Sequence, residues 1–157
     1  MPDMIVKLYE LDKEEKIVKE LKQKGIDIRR AMAPEKYIVL DWVRQNFGDG
    51  WASECDIAFS NHPVTCVIAI EHEEIIGFAC VEATCKDYFG PTGVFKASRG
   101  NNVGAGLLIA GMSILRDMGY AYAIIGGAGP TKFYEKIVNA EVIQGSVPGI
   151  YEGMLHV

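Results

Sequence analysis

No stretch of the 157-residue sequence approaches the roughly 20 consecutive apolar residues that a membrane-spanning helix needs. The opening residues, MPDMIVKLYELDKEEK, lack the long apolar core of a signal peptide, so a cytoplasmic location and no membrane partner are expected. Positive charge is not in excess: 16 basic against 21 acidic residues give a net charge of −5, which argues against a nucleic-acid partner. Cysteine is sparse. Cys55, Cys66, Cys80 and Cys85 form no CxxC pair, and three lie in apolar stretches, so reduced and mostly buried thiols are expected. The three histidines do not cluster: His62 and His72 flank an expected strand and His156 is penultimate, so no metal is expected. Repeats, low-complexity tracts and linkers are also missing. What remains, 49% hydrophobic and 24% charged residues, is the composition of one globular domain with a sizeable core.

Periodicity orders the elements. Met4 to Leu11 reads as extended, and Asp12 to Lys24 as a helix with Ile17, Val18 and Leu21 on one face, closed by Gly25. Ile26 to Ala31 alternates like a half-buried strand. Pro34 opens a helix leading to Phe47, GDGW breaks it, and Trp51 to Phe59 resumes a shorter one. Thr65 to Glu71 and Ile75 to Glu82 suit a hairpin, and Phe89 to Val94 is a strand that its Gly and Pro should bend or bulge. A helix from Val103 to Met118 carries the stripe Val103, Leu107, Ala110, Ile114 and Met118 and ends at Gly119. Tyr120 to Ile125 reads as a buried strand, Pro130 to Val138 as a helix, and Glu141 to Gln144 and Tyr151 to Val157 as closing strands. The pattern is α+β, or mixed α/β: a central sheet with helices on its faces.

The stretch RGNNVGAGLLIAGM, Arg99 to Met112, puts four glycines and two asparagines at the mouth of a good helix. Each helical glycine costs about 1 kcal/mol relative to alanine, so the cluster needs compensation. A strand feeding directly into a helix leaves the first-turn N–H groups without intrahelical partners, and small residues let an anion approach them. The other reading is close packing of helix on sheet, which suits Ala110 and Gly111 whatever the ligand. No Walker sequence GxxxxGK[ST] is present, and the GxxxGxG spacing is not the dinucleotide fingerprint.

Here the sequence resembles the GNAT family of acetyl-CoA-dependent N-acyltransferases, whose pyrophosphate loop runs [QR]xxGx[GA] between strand and helix. Arg99, Gly100, Asn101, Asn102, Val103 and Gly104 follow that frame, with Asn102 in place of the first glycine. Asparagine is among the few other residues that tolerate positive φ. The resemblance extends over IDIRRAMAPE, EEIIGFACVEA, GPTGVFKASR, YAYAIIGG and PTKFYEKIVNA in the family's order, covering Ile26 to Val157. Residues 1–25 are then a strand-helix extension packed on the domain, able to supply an edge strand, and 26–157 the acetyltransferase domain.

The resemblance implies a mostly antiparallel sheet splayed between the family's fourth and fifth strands, with the pantetheine arm of acetyl-CoA paired to the backbone of Thr92 and Val94. A bulge between those two residues would separate this from an ordinary strand. Arg99, Gly100, Asn101, Asn102, Val103, Gly104 and Ala105 would hold the diphosphate. Tyr134 stands where the family often carries the tyrosine that protonates the departing thiolate, or else it packs beside Phe133. The family's asparagine seven residues earlier is Gly127 here. Glu82, Asp87 and Glu54 are candidates for the base that frees the amine, or else surface carboxylates. Cys80 and Cys85 leave an acyl-cysteine route as a minor alternative. Phe47, Trp51 and Tyr151 either wall an acceptor pocket, with Glu54 attracting a cationic amine, or belong to the core. The function expected is acetyl transfer from acetyl-CoA to a small-molecule or peptidyl primary amine by direct attack, in a family where homodimers are common. The alternatives are a non-catalytic CoA-binding sensor and a ligand-free dimerisation protein.

Overall fold

A computed structural model describes residues 1–156; the last position of the expected strand Tyr151 to Val157, and of the expected domain 26–157, lies outside the described residues. The described residues form one seven-stranded sheet with five α-helices. The strands are β1 (Met4–Lys7), β2 (Ile26–Arg30), β3 (Cys66–Glu71), β4 (Glu74–Val81), β5 (Tyr88–Val94), β6 (Tyr122–Ile125) and β7 (Glu141–Val142). The helices are α1 (Lys16–Gln23), α2 (Lys36–Phe47), α3 (Asp49–Ser60), α4 (Val103–Asp117) and α5 (Thr131–Val138). Spatial order is β2-β3-β4-β5-β6-β1-β7, and every pair is antiparallel except β5 with β6.

That exception follows from connectivity. Parallel strands need a long crossover, and α4 supplies it between β5 and β6. Strand alternation then divides the core. β3 sends Val67 and Ala69 to the face covered by α1, α4 and α5, and Cys66 and Ile68 to the face covered by α2 and α3. On the first face Leu107, Leu108 and Leu115 of α4 are fully buried, each worth about 1.5–3 kcal/mol of burial. On the second, Val39, Leu40 and Val43 of α2 meet Cys55 and Phe59 of α3 above Phe78.

Three expectations change. β1 is not an edge strand: it lies between β6 and β7, with Met4 opposite both Ile125 and Val142, and Met4 and Val6 are completely buried. Among the described residues the closing run forms no strand; Gly149–Tyr151 makes a 3₁₀ turn, and Met154 and Leu155 are exposed. The bulge of β5 also falls earlier than expected. Ala79 faces Thr92 while Val81 faces Phe89, so the extra residue lies at Gly90–Pro91, not between Thr92 and Val94.

The entry to α2 is held by Glu35. Its carboxylate accepts from both Arg29 Nη1 and Nη2 at 2.8 Å and from the Met32 N–H at 2.7 Å. The Arg29 hydrogen bonds hold this carboxyl at about 2, below the ordinary 4.5. A depressed folded value contributes stability that is complete above about pH 4.5 and lost as the pH falls toward 2. Glu35→Gln should therefore cost about 1–2 kcal/mol at pH 7 in denaturant unfolding and flatten the loss of stability between pH 4.5 and 2.

Candidate functional site: a cleft where two parallel strands part

β5 and β6 pair only through Tyr88 with Ile124 and Phe89 with Ile125. Beyond them the strands separate, leaving Gly90–Val94 on one side and the turn from Gly126 to Gly129 on the other. A cavity of about 890 Å³ fills the parting, lined on the β5 side by Thr92, on the α3 side by Trp51 and Glu54, and elsewhere by Tyr134 and Tyr151. It opens at the carboxyl ends of both strands, where ligands of parallel sheets bind.

The β5 wall has free backbone. The Phe95 N–H donates to Ile76 O at 2.7 Å, which makes Val94–Gly77 and Thr92–Ala79 the non-hydrogen-bonded pairs of the β4–β5 ladder. The N–H and C=O groups of Thr92 and Val94 therefore point away from β4, toward the gap. One of them is occupied: Arg99 Nε donates to Val94 O at 3.2 Å. The Thr92 hydroxyl is turned back onto Phe78 O.

The loop expected to bind an anion has the required backbone. Gly100 and Asn102 both adopt positive φ, 90° and 63°, so Asn102 stands where left-handed backbone is needed and serves as the N-cap residue of α4. Among the described residues, no protein acceptor meets the N–H groups of Gly100, Asn101, Asn102, Val103, Gly104 or Ala105. Arg99 N–H is already bonded to Lys96 O. The loop abuts α5 and the end of β5, since a Cβ on Gly104 would stand 3.7 Å from Phe133 Cζ and 3.8 Å from Val94 Cγ2, and none of its residues lines the cavity.

The other candidates divide. Tyr134 is buried on α5 and lines the cavity; its hydroxyl has no hydrogen-bond partner among the described residues, and burial pushes its pKa up, so it stays protonated at neutral pH. Glu54 accepts from the Thr84 hydroxyl through Oε1 and turns toward the cavity. Tyr151 is pushed up to about 12, by burial first and then by the charge of Glu54. Phe47 does not reach the cavity: it stacks on Trp51 at 5.1 Å and packs over Gly93, so it supports the wall from behind. Glu82 is also elsewhere. Its carboxylate accepts from the Tyr120 hydroxyl at 2.9 Å and from the Asp87 N–H, holding the turn between β4 and β5. Asp87 sits beside it, pushed up to about 6 by burial and by Glu82's charge. Neither carboxylate lines the cavity.

Asp3 is the residue the sequence reading missed. It is 6% exposed, and its Oδ1 accepts from the Gly127 N–H at 2.8 Å, tying the turn that follows β6. Nothing local distinguishes this aspartate; only the threading of β1 beside β6 brings it there.

No family model and no curated protein matches the sequence. Solved structures do match in fold. The chain is similar to a GCN5-related glucosamine N-acetyltransferase region in a fungal multi-domain GH3 beta-N-acetylglucosaminidase, with TM-score 0.74 and 15% identity over 90% of this chain and 19% of that one. It is similar to a GCN5-related N-acetyltransferase from Sphaerobacter thermophilus, with TM-score 0.71 and 16% identity over 90% of this chain and 48% of that one. A GNAT family acetyltransferase from Brucella melitensis, in complex with acetyl-CoA, matches with TM-score 0.51 and 17% identity over 71% and 80%. The chain thus spans about a fifth and about half of the first two. The shared feature is the GNAT fold, a mostly antiparallel sheet with one parallel parting.

The glycines of α4 differ in what they meet. A Cβ on Gly111 would stand 2.6 Å from the Phe89 ring, whereas one on Gly104 finds only ordinary contacts. Gly111→Ala should lose about 1–3 kcal/mol in chemical unfolding while Gly104→Ala stays within about 1 kcal/mol of wild type. Equal losses would assign both glycines to packing.

Proposed function

We propose that this chain, which carries the GNAT fold, transfers an acetyl group from acetyl-CoA to a primary amine bound in the 890 Å³ cleft. The observation that carries the reading is the run of unpartnered N–H groups from Gly100 to Ala105, capping α4 beside parted strands. Six such donors with a helix N-terminus behind them suit a diphosphate, and Asn102 in left-handed backbone preserves the turn that a glycine would make.

Acetyl-CoA supplies the activated acyl group as a thioester. The outward N–H groups of Thr92 and Val94 extend β5's pairing to the pantetheine arm. One of them, aimed at the thioester carbonyl, stabilises the charge that builds on its oxygen. Arg99 must leave Val94 O for the arm to pair fully, and its guanidinium is then free for a phosphate. Tyr134 Oη gives its proton to the departing thiolate; burial keeps that proton in place at neutral pH. Glu54, with Oε1 held by Thr84, presents its other oxygen to the acceptor's ammonium and takes its proton. Trp51 and Tyr151 supply the apolar walls that a cationic amine's carbon skeleton packs against.

A second reading, a CoA-binding sensor without turnover, is favoured by the Arg99–Val94 contact, which closes part of the β5 wall. Thiol release from acetyl-CoA over a broad amine panel separates the two. Wild type should release CoA with at least one amine. Tyr134→Phe should keep CoA affinity but slow transfer at least tenfold, about 1.4 kcal/mol of barrier. Unchanged turnover removes Tyr134 from the chemistry, binding without release by wild type selects the sensor, and no CoA binding at all overturns both.

A further inference from the structure

On the sheet face away from α4, three thiols converge that acyl transfer does not use. Cys66 of β3 and Cys80 of β4 stand directly opposite each other. The Val81 N–H to Thr65 O bond marks them as a non-hydrogen-bonded pair, the kind in which side chains lie closest. Cys55 descends on them from α3. All three residues are 0% exposed, their sulfurs lie within 4.8 Å of one another, and Cys55 Sγ is 3.8 Å from Cys66 Sγ.

This spacing is that of a ligand set. A metal–sulfur bond of about 2.3 Å places three trigonal sulfurs about 4 Å apart. No imidazole or carboxylate among the described residues joins the group, and Val43, Phe59 and Phe78 belong to the same buried cluster. Zinc in a structural site takes four ligands in tetrahedral array, and here it would lack one. Cuprous copper is selected by sulfur ligands and is satisfied by three.

We propose that Cys55, Cys66 and Cys80 form a three-sulfur site for a cuprous ion, pinning α3 to the β3–β4 hairpin. The three sulfurs bind as thiolates, so binding releases their protons to solvent, and no oxidation state changes. Because α3 also carries Trp51 and Glu54, the ion braces the acceptor wall of the cleft from behind.

The test is anaerobic titration of the reduced intact chain with Cu(I) buffered by a competing chelator. One equivalent should bind, with ultraviolet sulfur-to-copper charge transfer and X-ray absorption showing three sulfurs at about 2.3 Å. Cys85→Ser should keep this signature and Cys66→Ala lose it. Should Cys66→Ala fail to fold, the sulfur count of the wild-type complex and its unchanged value in Cys85→Ser decide the matter. No uptake against the chelator, a site that needs Cys85, or a tetrahedral zinc complex formed in preference would overturn the proposal. Neither result depends on acyl transfer.

Discussion

The rest of the cleft depends on how little of β5 and β6 is joined. Two residue pairs, Tyr88–Ile124 and Phe89–Ile125, bring the parallel strands together, and the Ile124 N–H to Asp87 O and Gly126 N–H to Phe89 O bonds close the ladder on either side. A continuous parallel ladder would consume the outward backbone groups of Thr92 and Val94 and leave no room between the strands. The bulge at Gly90–Pro91 bends β5 just where pairing stops, and Phe89, wedged against Gly111 of α4, holds the junction from one face. The parting is therefore built by packing at its root rather than by repulsion at its mouth.

The same geometry explains why a helix with poor local propensity is kept. α4 is the crossover that makes β5 and β6 parallel, and it must lie close to the sheet to do so. Gly106 and Gly111 permit that approach: a Cβ on Gly106 would meet Leu21 and Ile28 at 2.6 Å, and one on Gly111 would meet Phe89. Gly104 stands apart, with space around it and its N–H free. The cost of glycine in this helix, about 1 kcal/mol each, is offset by close packing in two cases and by an open helix end in the third.

Much of this was legible in the sequence because it rests on local rules. The hairpin β3–β4, the stop of α4 at Gly119 and the left-handed backbone at Asn102 are all set by residues within a few positions of one another, and the stripe of α4 holds from Val103 to Ile114, whereas Met118 caps the helix half-exposed. What was not legible is set over long distances. Tyr151 to His156 has the composition of a strand, but its place in the sheet depends on whether β1 already occupies it. Glu82 and Asp87 look like cleft carboxylates from strand position alone, yet the turn after β4 folds them onto Tyr120. The cysteines read as buried one by one; only the β3–β4 register and the descent of α3 bring three together.

That dependence on distant contacts is concentrated on the side of the cleft formed by Trp51, Glu54 and Tyr151, and unevenly. The β5 wall and the glycine loop come from one continuous stretch, so their geometry is preserved whenever the crossover forms. The opposite wall is assembled from both ends of the chain. Asp3 bonds to Gly127 through its carboxylate, to Ser146 Oγ through its N–H and to the Ile143 N–H through its carbonyl, so one residue ties β1, the turn after β6 and the segment leading to Tyr151. Trp51 and Glu54 are placed independently, by α3 on the opposite core cluster. Changes in either support can reshape this wall of the cleft without disturbing the loop at α4, so the two are separable in the architecture itself.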